Sequence, residues 1–592
     1  MTRHTRTTDD DARAIARDAT THSFLNCYIR ETGAGRFRSV SDPDAATDTV
    51  WSHRLDEQGI DLTVPVAYRS PTGRHCFDLP GTYASDGESQ PLDYLTLVTL
   101  LTKELEVERG AVDRTDLVAR VIQSCQNVER YVEQRRGDDA LTAPTPGFRD
   151  AEQSLVFGHH THPTPKSRSG LDDPTFEPEC DGAFQLHYFA VDPALVEQGS
   201  AREDAATAWI RQALAADPDV PQSLLDEHAD DALVPLHPWQ AEHVIEQPHV
   251  ASLLADGRIE SLGRLGREFA PTASIRTLYA PDAPFMVKGS LAVAVTNSER
   301  TNKLPELERG VAIAELLDTE LGDRLADRFP AFDVIRDPAY LTVDAGAGES
   351  GFEVVLRENV FPDGGDRSLP VVALCQDPID GRSRLERLIE GIAEREGRST
   401  ATVSESWFRQ YLDIGLRPLL WLYLDAGIGL EAHQQNSVLT LDEVGYPARY
   451  RYRDNQGYYF PEGAYERVDP LLPGVGERAD TICPDAVADE RIRYYVLLNN
   501  VFGVINAFGT AGLVDERRLL GTLRETLDGC REFDRPTSSL LDPLLNAETV
   551  PCKANLLTRL RGLDELDAPS LDEQSVYTEV ANPLADVLEA KS

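Results

Sequence analysis

The sequence predicts an α+β protein in three consecutive parts: a helical segment over 1–145, a strand-rich antiparallel segment over 146–360 and a mainly helical segment over 361–592. Three observations carry that prediction. Apolar residues recur at helical spacing in the flanking parts, as in Leu95, Leu97, Val98, Leu101 and Leu105. Two-residue alternation marks the middle part, most plainly from Phe285 to Thr296. A chain of 592 residues also exceeds what one hydrophobic core organises.

In the first part, residues 9–32 form a helix whose acidic start suits the helix dipole and whose stop is Gly33. Two more helices occupy 90–136, the second carrying Leu117, Val118, Val121 and Ile122, and a Gly/Pro-bounded linker follows over 137–146. The middle part holds strands at 184–191, 233–236 and 340–355 and a hairpin within 271–296. Residues Gly346 to Gly351 spell G-x-G-x-x-G, but a dinucleotide loop needs a helix after it, and Phe352–Leu356 reads as a strand. That stretch is therefore a hairpin turn. No Walker-type phosphate loop occurs anywhere.

In the last part, helices are predicted at 382–396, 404–426, 488–508 and 515–530, with a strand pair at 437–441 and 448–453. The uncharged run from Tyr494 to Val514 has the length of a membrane span, yet Asn499, Asn500 and Asn506 interrupt it at a cost in hydrocarbon. It reads as a buried helix that stops at Gly509 or Gly512.

The formal charge is −42, with six lysines set against 52 arginines. Such acidity matches a halophilic surface, hydrated and screened in molar salt, and does not identify a partner. No basic tract supports nucleic-acid binding. The eight cysteines are scattered without a Cys-x-x-Cys pair, as for reduced thiols, and the first residues carry no apolar targeting stretch. The expectation is a soluble cytoplasmic protein.

The hairpin within 271–296 carries the first functional signal. With its turn centred near Asp282, Arg276 lies opposite Lys288, and Ser274, Arg276, Lys288 and Thr296 share one face. Opposed like charges on a sheet are destabilising unless an anion lies between them. A chain nearly devoid of lysine that keeps one here points to an anion site, for which ammonium and guanidinium are complementary groups.

Two loops add to it. Gly158–Gly170 concentrates His159, His160, His162, Lys166 and Arg168, which suits recognition of a carboxylate-rich substrate; zinc ligation by the imidazoles and a plain surface loop are the competing readings. The segment Val234-Pro-Leu-His-Pro-Trp-Gln240 is rigid and as consistent with structure as with function. Glu431, His433, Gln435 and Asn436 precede one strand, and Asp454 closes the next. A loop Asn with a strand-end Asp is how phosphotransferases hold Mg2+ against nucleotide phosphates.

Together these motifs resemble the aerobactin-type, NRPS-independent IucA/IucC siderophore synthetases: Gly-His-x-x-His-Pro-x-x-Lys-x-Arg-x-Gly, Pro-x-His-Pro-Trp-Gln, Pro-Thr-Ala-Ser-Ile-Arg-Thr, Lys-(x)7-Thr-Asn-x-x-Arg and Glu-Ala-His-x-Gln-Asn. The resemblance runs in order from about residue 10 to the C-terminus; His160 stands where the family usually has Pro. It implies a cradle of thumb, fingers and palm, with a homodimer as the common state. It implies adenylation of citrate or a citryl mono-amide by ATP with Mg2+, then condensation with a diamine or a hydroxamate-bearing amine. By motif, Ser274, Arg276 and Lys288 would bind the triphosphate, with Arg276, Lys288, Arg300 and His433 taking part in the chemistry. Glu431, His433 and Asp454 would hold the metal, with His433, Asn436 and Asp454 on ATP. His162, Lys166, Thr296, Arg300 and Gln435 would bind the carboxylate substrate. A small-molecule kinase, predicting ADP, and a non-catalytic citrate-binding protein are the alternatives.

Overall fold

The computed structural model describes residues 11–40, 47–110, 114–171, 173–295, 298–346, 348–379, 381–454, 456–562 and 575–589; Thr296 lies outside the described residues. Helix Ala12–Thr32 starts at Asp11, whose side chain accepts the Arg13 N–H, and ends where Gly33 turns left-handed at φ 65°. Helices Tyr94–Arg109 and Arg114–Arg135 form as predicted.

Between helix Ala12–Thr32 and helix Tyr94–Arg109 stands a six-stranded antiparallel sheet within 36–92, which corrects the expectation of a mainly helical first part. The two-residue period is present in Thr49–Leu55 and Ile60–Tyr68, where Trp51, Leu55, Leu62, Val64 and Val66 are buried and the alternate residues are not. Outward Val50, Pro65 and Ala67 blur it. Phe24, Leu25 and Tyr28 of the first helix pack on these strands, and Leu556, Leu557 and Leu560 of helix Asn555–Leu560 complete the same core. The chain's end thus belongs physically to its beginning.

The middle part is an eight-stranded sheet in the order Val196–Ser200, Ala339–Val343, Val354–Glu358, Phe285–Gly289, Thr277–Tyr279, Ile259–Pro271, Phe184–Val191 and Ala232–Leu236. Ala339–Val343 pairs antiparallel with Val354–Glu358, so the G-x-G-x-x-G stretch does connect two strands of a hairpin. The 271–296 hairpin differs by one residue from the expected register: Thr277, not Arg276, lies opposite Lys288. A slip of one would send Arg276 to the wrong face. It is offset by a turn in which Ile275 adopts φ 67°, costly for a β-branched residue, and in which the Thr272 N–H bonds the Thr277 carbonyl at 2.9 Å. Arg276 therefore leaves the strand geometry and reaches the same cavity as Lys288.

In the last part, Ser437–Leu441 and Pro447–Arg453 pair as predicted, and Phe332–Ile335 joins them in parallel, so the middle part lends a strand. Residues 400–426 and 485–510 are long helical runs broken by π-helical stretches at Leu412–Leu416, Leu422–Ala426 and Arg493–Val501. No helix among the described residues is long and apolar enough to cross a membrane.

The three asparagines of the 494–514 run each have structural work. Asn499 meets His159 Nε2 at 2.9 Å and accepts the Gln434 N–H. Asn506 donates to Ser70 Oγ and the Arg74 carbonyl and accepts from Arg74. Asn500 donates to the Ala432 carbonyl at 2.7 Å and Ser437 Oγ at 2.9 Å and accepts from the Tyr411 hydroxyl at 2.6 Å. Asn500 thereby pins the Glu431–Ser437 loop. Asn500→Leu leaves the Ala432 carbonyl without that donor and is expected to cost about 1–3 kcal/mol, seen as a lower urea midpoint at unchanged slope.

Candidate active site

A cavity of about 730 Å³ opens where the three parts meet. Eleven Lys and Arg side chains line it against four Asp and Glu, in a chain whose net charge is −42. Lys166, Lys288 and Lys553, half of the lysines, are among them. Cationic side chains thus outnumber acidic ones along its lining, an arrangement that favours anions.

Lys288 sits on a fully buried strand, with Nζ 3.0 Å from Asp454 Oδ1. Burial depresses its ammonium to about 8, Arg276 and Arg357 adding to the effect and Asp454 opposing it. Asp454 Oδ2 accepts from Asn436 Nδ2 at 3.2 Å, which joins the two strand ends the sequence singled out. Arg276 donates to the carbonyls of Arg300 and Thr301, to Asn302 Oδ1 and to Gln456 Oε1 at 2.8–3.2 Å. Held by neutral acceptors, it keeps its charge uncancelled, and burial with Arg300 beside it brings it down to about 10. Ser274 accepts the Thr277 N–H at 3.2 Å, which fixes the turn before Arg276.

His433 Nδ1 accepts the backbone N–H of Gln435 and of Asn436, which sets its tautomer. Burial holds its pKa near 3, so the imidazole is neutral. The Glu431 carboxyl is raised by burial and accepts the Tyr459 hydroxyl. His162, Arg300 and Gln435 also line the cavity.

Glu431, His433 and Asp454 line the cavity together but form no preassembled ion cage, and neither do His159, His160 and His162: among the described residues no three His, Cys, Asp or Glu are placed to hold an ion. Glu431 is turned to Tyr459, His433 to its own loop and Asp454 to Lys288. Lys166 lines the cavity, but its ammonium is bonded to buried Glu179, which also binds Arg168 at 2.6 Å. That pairing offsets its charge inside the fold, a departure from the expectation that its ammonium is held for the substrate.

The structure also adds residues. Arg357 is clamped by Asp337 at 2.6 and 2.7 Å, and Arg453 by Glu152 at 2.7 Å. Arg30, Thr72 and Arg74 bring the first part into the wall, and Lys553 lies over the Tyr495 ring at 5.7 Å. Lysine scarcity, the argument that found Lys288, points equally to Lys553. Nothing in a chain of 52 arginines distinguishes Arg30.

The profile of the IucA / IucC family matches residues 147–376, and one described as a ferric iron reductase FhuF-like transporter matches 405–568. The chain is 42% identical to a spermidine-citrate ligase of Bacillus anthracis, over 98% of this chain and 100% of that protein. It is 38% identical to the rhizobactin siderophore biosynthesis protein RhbC of Rhizobium meliloti, over 95% and 97%. Its fold superposes on an ATP-bound aerobactin synthetase IucA of Klebsiella pneumoniae with TM-score 0.86 and 29% identity, covering 96% and 99% of the two chains.

One carboxyl group ties the wall together. Glu31 accepts the N–H groups of Leu556 and Leu557 at 2.9 Å each, docking the Lys553–Asn555 turn onto the helix of Arg30. Burial pushes it from 4.5 up to about 8, against those two hydrogen bonds and Arg30. Between these values the folded chain holds a proton that the unfolded chain has released, so this contribution is full below about 4.5 and is lost as pH rises through about 8. Glu31→Gln is expected to flatten the fall of melting temperature between pH 5 and 8, measured by calorimetry at fixed salt.

Proposed function

Given that this chain belongs to the IucA/IucC family, we propose that it is an ATP-dependent siderophore synthetase that joins a carboxylate of citrate to an amine. The observation that carries this is the cationic cavity of an otherwise acidic chain, with Asp454 joining Lys288 and Asn436 at its wall. Full-length similarity to a spermidine-citrate ligase favours free citrate and a polyamine or diamine as the substrates. In this reading the thumb, fingers and palm of the family are the three parts that meet at the cavity.

A citrate carboxylate oxygen attacks the α-phosphorus of ATP and pyrophosphate leaves. The amine nitrogen then attacks the acyl carbon, loses its proton, and AMP leaves with the C–O bond. Lys288 and Arg276 face the phosphates and offset the charge that develops there, which is where electrostatic preorganisation contributes most. Ser274 and Asn436 orient the nucleotide, and neutral His433 serves as a hydrogen-bonding group at a site already rich in positive charge. Arg300, Gln435 and His162, together with Thr296, hold the carboxylates that are not activated. No covalent enzyme intermediate is required.

A Mg2+ that arrives with ATP needs only one or two carboxylates besides phosphate and water. Asp454 fits that demand, with Glu431 as the other acid of the pair, and the ion would supply charge neutralisation at the phosphates. The acidic exterior belongs to the same proposal as an adaptation to molar salt.

The test is ATP turnover in molar potassium chloride with Mg2+, citrate and spermidine. AMP, pyrophosphate and a citryl-amide mass are the expected products, and ADP would overturn the reading in favour of a kinase. Turnover only with a citryl mono-amide would move the enzyme to a later condensation. Lys288→Met is expected to lower kcat/KM for ATP at least about 100-fold, the scale of losing a transition-state charge donor.

A further inference from the structure

Arg30 differs from the ion-paired cations of the cavity wall, and from Arg276 and Arg309, which are held by backbone carbonyls. Arg74 is held by Asp377 and Asn506, Arg357 by Asp337 and Arg453 by Glu152. Arg30 lines the same cavity, yet forms no ion pair with a carboxylate among the described residues. The neighbours that act on it are Cys552, which it hydrogen-bonds, then Tyr494 and Cys27, with Glu31 after them. Burial raises the pKa of the Cys552, Tyr494 and Cys27 groups, so they keep their protons. Both oxygens of Glu31 are engaged by Leu556 and Leu557. A half-buried guanidinium with no carboxylate partner among the described residues is costly, because its charge is offset by no opposite charge held against it.

The position of Arg30 in the last turn of helix Ala12–Thr32 is favourable to a cation through the helix dipole. That alone would be met by a side chain directed to solvent, whereas this one borders the cavity beside a polar group of side chains. Arg30 acts on His75, next to Arg74, and on Tyr494, whose hydroxyl bonds Asn555 Nδ2 at 3.3 Å. Thr72, Arg74, Tyr494 and Asn555 line the cavity with it.

We infer that Arg30 is the receiving group of a second carboxylate subsite, contributed by the N-terminal part, for a substrate carboxylate that is not activated. The subsite rests on the synthetase reading and refines it. The guanidinium fork binds a carboxylate bidentately, with the Tyr494 hydroxyl, which accepts from Asn555 and keeps its own proton to donate, as a further polar contact. Two sources carry that chemistry: a spare carboxylate of citrate, or the carboxylate of an amine substrate that is itself an amino acid.

The experiment is equilibrium binding in molar potassium chloride, independent of turnover, comparing wild type with Arg30→Gln and Arg30→Lys. The probes are citrate, 2,3-diaminopropanoate and its carboxylate-free counterpart ethylenediamine. Loss of one charge-assisted bidentate contact is expected to raise a dissociation constant about 10- to 100-fold in Arg30→Gln, with an intermediate rise in Arg30→Lys. A rise for citrate assigns the subsite to citrate. A rise for 2,3-diaminopropanoate with ethylenediamine unchanged assigns it to the amine. Should Arg30→Gln fail to fold, by circular dichroism, Arg30→Lys decides. Constants within twofold of wild type for both carboxylates would overturn the subsite, as would a wild type that binds neither. Citrate-dependent pyrophosphate release by wild type tests the synthetase reading separately, so the two can fail independently.

Discussion

A buried guanidinium or ammonium persists only where something polar holds it, and the cavity wall meets that requirement repeatedly. Lys288 has Asp454, Arg357 has Asp337, Arg453 has Glu152, and Lys166 and Arg168 share Glu179. Removing one partner of such a pair costs about 3–5 kcal/mol, so the carboxylates behind the wall are as necessary as the cations in it. Arg276 is held differently, by carbonyls and amide oxygens, and so presents an uncancelled charge to the cavity. The two modes place ion-paired cations and carbonyl-held cations side by side in one wall.

The same constraint explains the convergence of distant segments on one loop. The Gly158–Arg168 stretch has backbone groups to satisfy, and partners come from every side: Ser23 donates to the His162 carbonyl, Asn127 to that of Lys166 at 2.8 Å and Asn555 to that of Thr161 at 2.7 Å. Asn499 reaches His159 from the long C-terminal helical run. A loop held from the first helix, the third helix and the chain's end cannot be placed by any one part. This is why helix Asn555–Leu560 sits in the N-terminal core and why the wall includes Arg30 and Arg74.

Asparagine in the 494–514 run argued against a membrane span and proved to be structural glue. Each Asn bridges backbone or side-chain groups that an apolar residue would strand. The π-helical stretch Arg493–Val501 includes two of them, and such departures from regular helix commonly accompany functional sites.

By itself the sequence determined the helices, the strand-rich middle, the G-x-G-x-x-G turn, and the pairing of Asn436 with Asp454, because these follow from local periodicity and from motifs whose partners lie close in the chain. Lysine scarcity singled out Lys288 for the same reason: composition is a one-dimensional signal. It left three things open. The N-terminal sheet was hidden because outward Val50, Pro65 and Ala67 blur its alternation, the hairpin register depended on the Ile275 turn, and the fate of Lys166 depended on Glu179, thirteen residues away. Whether a cation faces a cavity or a buried carboxylate is a matter of which side chains folding brings within a few ångströms. Only the tertiary structure decided that, and it decided it for Arg30 as much as for Lys166.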